Sequence, residues 1–195
     1  MSIPNVDERE DPRVTRTRAL IVEAFADLLE EGGFRGLTVQ AVTERAGINR
    51  ATFYAHFPDK YGLLDYFIRE AFQREIEKRT LDACHYSQEN LRALILALCD
   101  FVEGAHDHCG TADVQFESLV EAEVKRGLQE LLETWLGGSG SDVDPRTAAT
   151  AASWAIYGLV AQWSHGSRTA RLPAETFADR TLPLIVANLG QAVES

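Results

Sequence analysis

An all-α protein is predicted from three features of the 195-residue chain. Apolar residues recur at helical spacing almost throughout, and no stretch sustains the period-2 alternation of a half-buried strand. Cap residues and glycine or proline breaks then divide the pattern into helix-length segments. The length suffices for a sizeable core in one domain or two small ones. Hydrophobic residues at 45% and charged residues at 25% describe a globular chain rather than a disordered one.

The first helix is predicted from about Arg13 to Glu31, with Ile21, Phe25, Leu28 and Leu29 on one face. Gly32-Gly33 stops it, because glycine accepts the left-handed conformation that closes a helix. Thr38 is a natural N-cap for a short second helix reaching Arg45 or Ala46. Gly47 breaks that helix, and Asn49 caps a third from Arg50 to about His56. Pro58 ends the third helix, since the residue before proline is pushed out of the helical region. Asp59 then caps a long fourth helix, to about residue 83, carrying Leu63, Leu64, Phe67, Ile68 and Phe72.

A second all-helical unit follows. Ser87 caps a helix whose apolar face is Leu91, Leu94, Ile95, Leu98 and Val102, and a further helix covers about Ala112–Leu136. The run Gly137–Ser141, GGSGS, is a flexible loop by composition. Asp144-Pro145 supplies a cap and a first-turn proline for a helix from Arg146 to about His165. Its apolar face holds Ala148, Ala152, Ala155, Ile156, Leu159, Val160 and Trp163. The last segment, Ala174–Ala192, is helical, and Pro183 is expected to kink or split it. The predicted organisation is thus residues 1–60 as an arm and three-helix domain, and residues 61–195 as a helical bundle.

Two short helices joined by a glycine-containing turn form a helix-turn-helix, whose second helix fits the major groove of DNA. Val42, Ile48 and Phe53 are expected to form the buried wedge that fixes the interhelical angle, with Phe57 also in the core. Arg50, Thr52, Tyr54 and His56 carry groups suited to phosphates or base edges. Taken singly, His56 reads as a structural histidine and Arg50 as a solvated charge. Their joint spacing carries the signal.

The run LTVQAVTERAGINRATFYAHFPDKYGLL resembles the DNA-binding domain of the TetR/AcrR family of bacterial regulators. The resemblance is carried by Thr38, Ala46-Gly47-Ile48, Asn49, Phe53-Tyr54-Ala55-His56-Phe57 and Lys60. It covers about residues 15–65 and extends weakly over the remainder as an all-helical plan. It implies that Thr38, Tyr54, His56 and Lys60 contact phosphates, and that Arg50 and Thr52 read bases. Two residues depart from the pattern: Thr43 stands where a small alanine is usual, and Ala51 where glycine is common. Thr43 is expected to shift the recognition helix slightly.

The charge balance runs against this reading only at first sight. The net charge is −11, but residues 1–60 hold 8 basic and 10 acidic residues, against 11 and 20 in residues 61–195. Between residues 35 and 60, Arg35, Arg45, Arg50 and Lys60 face only Glu44 and Asp59. Overall acidity weakens nonspecific DNA affinity without excluding a local basic face. Arg13, Arg16 and Arg18 could reach DNA from an N-terminal arm. They read better as part of a solvated tail balanced by Asp7, Glu8, Glu10 and Asp11.

By the same resemblance, the second unit binds a small-molecule effector and dimerises, and the protein is a repressor that releases a near-palindromic operator when the effector binds. The last two helical segments are candidates for an intersubunit four-helix bundle. The alanines Ala148, Ala151, Ala152 and Ala155 would permit close approach there, or form an ordinary intrachain core face. Effector-pocket candidates are the large aromatics Phe101, Phe116, Trp135, Trp154, Tyr157 and Trp163, which also read as core.

No cofactor, metal or catalytic motif is assigned. There is no phosphate-binding glycine loop, no GxSxG and no HExxH. Cys84-His85 and His106-Asp107-His108-Cys109 are metal-competent, but nothing in the sequence brings them together, and Cys99 reads as a small core residue. Three cysteines without a CxxC pair fit reduced thiols. The acidic start, MSIPNVDERED, lacks the apolar segment of a secretory signal, so a cytoplasmic location is expected. Two other classes compete with the regulator: a helical co-regulator that binds protein instead of DNA, and a helical metal- or thiol-sensing protein.

Overall fold

The structure, a computed structural model, describes residues 11–79, 85–108, 114–137, 143–166 and 171–189. Eight helices and no strand occur among them. They divide after Leu64 into two compact units. The first holds α1 (Pro12–Gly36), α2 (Val39–Ala46), α3 (Arg50–His56) and the start of α4 (Lys60–Arg79). The second holds the rest of α4 with α5 (Gln88–His108), α6 (Val114–Leu136), α7 (Pro145–Ser164) and α8 (Ala174–Asn188).

In the first unit, helix α1 begins where local chemistry dictates. Asp11 accepts a hydrogen bond from the Arg13 N–H at 2.9 Å, and Pro12, which has no N–H to leave unpaired, occupies the first turn. Arg13, Arg16 and Arg18 are therefore helical rather than part of a loose arm, with Arg13 and Arg16 exposed. Ile21, Phe25 and Leu29 are buried as the periodicity predicts, and Leu28 is only half-buried.

The glycine pair works as expected at its second member. Gly33 takes φ 69°, ψ 169°, a conformation essentially restricted to glycine, and it breaks the helix. The break lets Phe34 fold under α1, edge-on to both Phe25 (6.4 Å) and Tyr61 (5.5 Å). Arg45 of α2 grips Glu31 of α1 with two hydrogen bonds, at 2.9 and 2.7 Å, with Asp27 3.6 Å away. This hydrogen-bonded guanidinium holds the Glu31 carboxyl below its ordinary range.

In the second unit, α5 carries the most continuous core face: Leu91, Leu94, Ile95 and Leu98 are wholly buried, and Val102 half-buried. Ser87 caps α5 through the Asn90 N–H at 3.0 Å. Helix α6 packs on α7, and α5 packs on both α7 and α8. The alanine face of α7 divides: Ala148 and Ala152 are buried within the chain, whereas Ala151 is exposed and Ala155 half-buried. Helix α8 runs unbroken through Pro183, so the expected split does not occur. Pro183 is exposed, and burial of Ala178, Thr181, Ile185 and Val186 anchors the helix on both sides of it.

Charged groups tie these helices together. Glu123 of α6, only 8% exposed, receives Arg69 of α4 at 3.2 Å and Arg126 of its own helix. Arg92 of α5 meets Asp179 of α8 at 2.6 Å, and Arg79 of α4 pairs with Asp100 of α5. Among the described residues, no helix is long and apolar enough to cross a membrane.

Two outcomes follow. Gly33→Ala is expected to destabilise the protein by about 1–3 kcal/mol, because alanine must enter a glycine-only conformation. Gly32→Ala, whose Cβ meets nothing within 4 Å, should instead stabilise it by up to about 1 kcal/mol. Urea-unfolding midpoints of the two variants check this contrast. Cys99 is fully buried, and burial, aided by Asp100, pushes its thiol up to about 12. Peptide mapping after alkylation at pH 8 should find Cys99 unmodified in native protein and modified only after unfolding.

Candidate nucleic-acid interface

The segment from Thr38 to Lys60 is built from local capping bonds. Thr38 Oγ1 accepts from the Ala41 N–H at 3.1 Å and starts α2. At the other end, Gly47 adopts the left-handed conformation, φ 66°, and donates its N–H to Glu44 O, while Ile48 donates to Thr43 O at 3.0 Å. This pair of bonds is a Schellman closure, which favours glycine at the left-handed position. Two residues later, Asn49 Oδ1 accepts from both the Thr52 N–H (2.8 Å) and the Thr52 hydroxyl (3.1 Å) and starts α3.

Val42 and Phe53 are wholly buried and form the wedge between α2 and α3. The expectation for Ile48 is corrected: it is half-buried, at the edge of that wedge. Thr43, a departure from the family pattern, is 4% exposed and donates its hydroxyl to Gln40 O at 2.9 Å. Its burial thus leaves no unsatisfied hydroxyl donor.

On α3, Phe53 turns inward, and Arg50, Ala51, Tyr54 and Ala55 are exposed. Tyr54 is 55% exposed, while its ring meets Phe53 edge-on at 5.5 Å. Thr52 and His56 are half-buried, and Thr38 is exposed. Lys60 is half-buried, with Nζ donating to Leu37 O at 3.0 Å and Phe34 O at 3.3 Å and lying 4.6 Å from the Phe34 ring centroid. Two of its three N–H donors are therefore committed to carbonyls after the α1 break.

Sequence reasoning passed over Gln40. This exposed α2 residue accepts from Arg50 Nη2 at 3.0 Å and donates to Glu44 Oε1 at 2.9 Å. The i, i+4 spacing of Gln40 and Glu44 was the available signal. Reasoning from charge counts also overvalued Arg45, whose charge is held by Glu31 and Asp27.

The aromatic candidates of the second unit do not form one group. Phe101, Trp135 and Trp163 are buried, and Phe116 and Tyr157 are half-buried. Trp154 is 62% exposed, with Lys125 Nζ 3.7 Å from its ring centroid. Phe101 packs edge-on against Phe72 of α4, and Trp163 stacks on Phe177 while donating Nε1–H to Leu172 O. Burial, with Glu121 and Glu117 adding to it, pushes the Tyr157 hydroxyl up to about 12. Cys84 and Cys109 and the side chains of His106 and His108 lie outside the described residues. Among those described, no three His, Cys, Asp or Glu side chains are grouped to hold a metal ion.

Comparison with known proteins converges on one family. Residues 21–67 match the family model of the bacterial regulatory proteins, tetR family. The chain is 31% identical over 120 residues to the tetracycline repressor protein class A of Escherichia coli, covering 55% of this chain and 56% of that protein. It is 28% identical over 147 residues to the HTH-type transcriptional repressor KstR2 of Rhodococcus jostii, covering 70% and 69%. The chain spans from about a fifth to just over half of the length of the first curated relatives it matches. The fold is shared with a TetR-family regulator of Streptomyces coelicolor, at a TM-score of 0.66 and 17% identity, over 92% of this chain and 98% of that one. With its helix-turn-helix in place between Thr38 and His56, the chain carries over residues 21–67 the domain shared by the bacterial regulatory proteins of the tetR family.

Proposed function

We propose that this regulator is a ligand-responsive repressor that reads a near-palindromic operator through α3. The observation that carries the reading is the outward face of that helix. Arg50 and Tyr54 are exposed on a helix whose opposite side, Phe53, is wholly buried. A helix so anchored can enter a major groove without repacking. Arg50 and Thr52 are the base readers, and Thr38, Tyr54, His56 and Lys60 contact phosphates. The third N–H of Lys60 supplies its contact. The site of action is the cytoplasm, where the DNA is.

Dimerisation places two such helices on one duplex. Helix α7 exposes Ala151, Trp154 and Gly158 in a helical stripe, and α8 exposes Pro183, Leu184 and Ala187. Leu184 at 58% and Trp154 at 62% are large apolar groups on these two surfaces, which supports a four-helix contact between subunits. The effector is a small molecule held in the second unit. Two observations support this: the Phe101–Phe72 contact joins the aromatic interior to α4, and Tyr86 Oη is buried with no hydrogen-bond partner among the described residues. Effector coupling of this kind is typically worth about 1–3 kcal/mol, or roughly 5–150-fold in operator affinity.

Selection of bound fragments from a random duplex library tests DNA reading. The wild type should enrich half-sites about 10–10.5 base pairs apart, or a multiple of that. The Arg50→Ala, Tyr54→Phe double variant should lose about 5–150-fold in affinity for the enriched site, the worth of one bidentate base contact. Absence of enrichment by folded wild-type protein at low salt would favour the protein-binding co-regulator instead. Leu184→Glu is expected to convert the dimer to a folded monomer in sedimentation. A variant that stays dimeric would move the interface away from α8.

A further inference from the structure

The hydrogen bond between Arg50 and Gln40 joins the two helices of the motif on its exposed side, where neither residue contributes to the core. Gln40 is held in turn by Glu44, one turn further along α2. The polarity of this relay is fixed by chemistry. An ionised carboxylate only accepts, so the Gln40 amide must present its NH2 group to Glu44. Its carbonyl oxygen then points the other way, to the guanidinium, which only donates. Both bonds have ordinary lengths, 2.9 and 3.0 Å.

The guanidinium has two edges able to bond two acceptors side by side: Nε with Nη2, and Nη1 with Nη2. Each edge uses a different hydrogen of Nη2. Gln40 takes one Nη2 hydrogen, so one edge stays complete whichever hydrogen is used. A complete edge is what bidentate pairing to guanine O6 and N7 requires. The relay therefore restrains the long Arg50 side chain before DNA arrives and leaves its reading edge free. That restraint lowers the ordering cost of the contact.

We propose that Gln40 is a specificity-determining positioning residue: oriented by Glu44, it holds the Arg50 guanidinium for guanine reading without touching that base itself. Glu44 takes part by fixing the amide. The inference rests on the DNA-binding reading proposed above.

The test is the same library selection applied to wild type, Gln40→Ala, Arg50→Ala and the double variant, with thermal unfolding to confirm that each is folded. Wild type should show a guanine preference that Arg50→Ala abolishes at one base pair of each half-site. Gln40→Ala should weaken the preference at that same base pair by about 2–10-fold, the worth of one modest hydrogen bond. In the Arg50→Ala background, Gln40→Ala should have no further effect there. Glu44→Ala should act in the same direction as Gln40→Ala, and less strongly. If Gln40→Ala relaxes a different base pair and adds to Arg50→Ala, Gln40 reads DNA directly and the positioning role is wrong. An unchanged preference in Gln40→Ala overturns it too, with DNA reading intact. If wild type enriches nothing, the DNA-binding reading itself fails and takes this inference with it.

Discussion

The proposed recognition surface depends on one constraint: α3 is seven residues long, too short to persist as a helix alone in water. Its shape is imposed from outside. Asn49 satisfies the free Thr52 N–H, Phe53 is wholly buried within the first unit, and Phe57 is buried just beyond the helix. Gly47 sets the turn that brings α2 and α3 into contact. Everything assigned to Arg50, Thr52 and Tyr54 presupposes that these anchors hold the helix still. Loss of the Phe53 side chain would remove the largest of them, and core truncations of this size typically cost about 3–5 kcal/mol.

Electrostatics adds to this picture through placement more than through totals. A chain with net charge −11 repels DNA at long range, so attraction must come from a few well-placed cations. Of the four basic residues between 35 and 60, Arg45 ties α2 to α1 through Glu31, and Lys60 ties α4 to the carbonyls after the α1 break. Both thereby stabilise the scaffold. Arg50 is the cation on the outward face of α3, and it bonds a neutral amide, that of Gln40. Its full charge therefore remains available to DNA.

The fold was largely legible in the sequence because its boundaries are set by bonds spanning two or three residues. Thr38 to Ala41, Asn49 to Thr52, Asp59 to Tyr61 and Gly62, and Asp144 to Thr147 are all caps of this kind. What was not legible depends on packing between distant segments. The Arg50–Gln40 bond spans 10 residues, and the Lys60 contacts span 23 and 26, so neither leaves a local signature. That α8 is not split at Pro183 was not legible for the same reason: flanking burial outweighs one missing backbone bond on an exposed face. The alanines of α7 could not be divided between core and surface by spacing alone, because alanine suits both. The aromatic residues of the second unit were equally ambiguous, and the structure separates exposed Trp154 from buried Trp135 and Trp163.

Amide hydrogen exchange of the full chain, with and without a duplex that the chain itself selects, tests the central claim most directly. On the proposed reading, α2 and α3 engage DNA as a preformed unit. Free protein should then already show slowed exchange across Val42 and Phe53–Phe57, and added DNA should deepen protection between Thr38 and Phe57. DNA-induced protection confined to other segments, or an α3 that exchanges as an unfolded peptide until DNA is added, would contradict it.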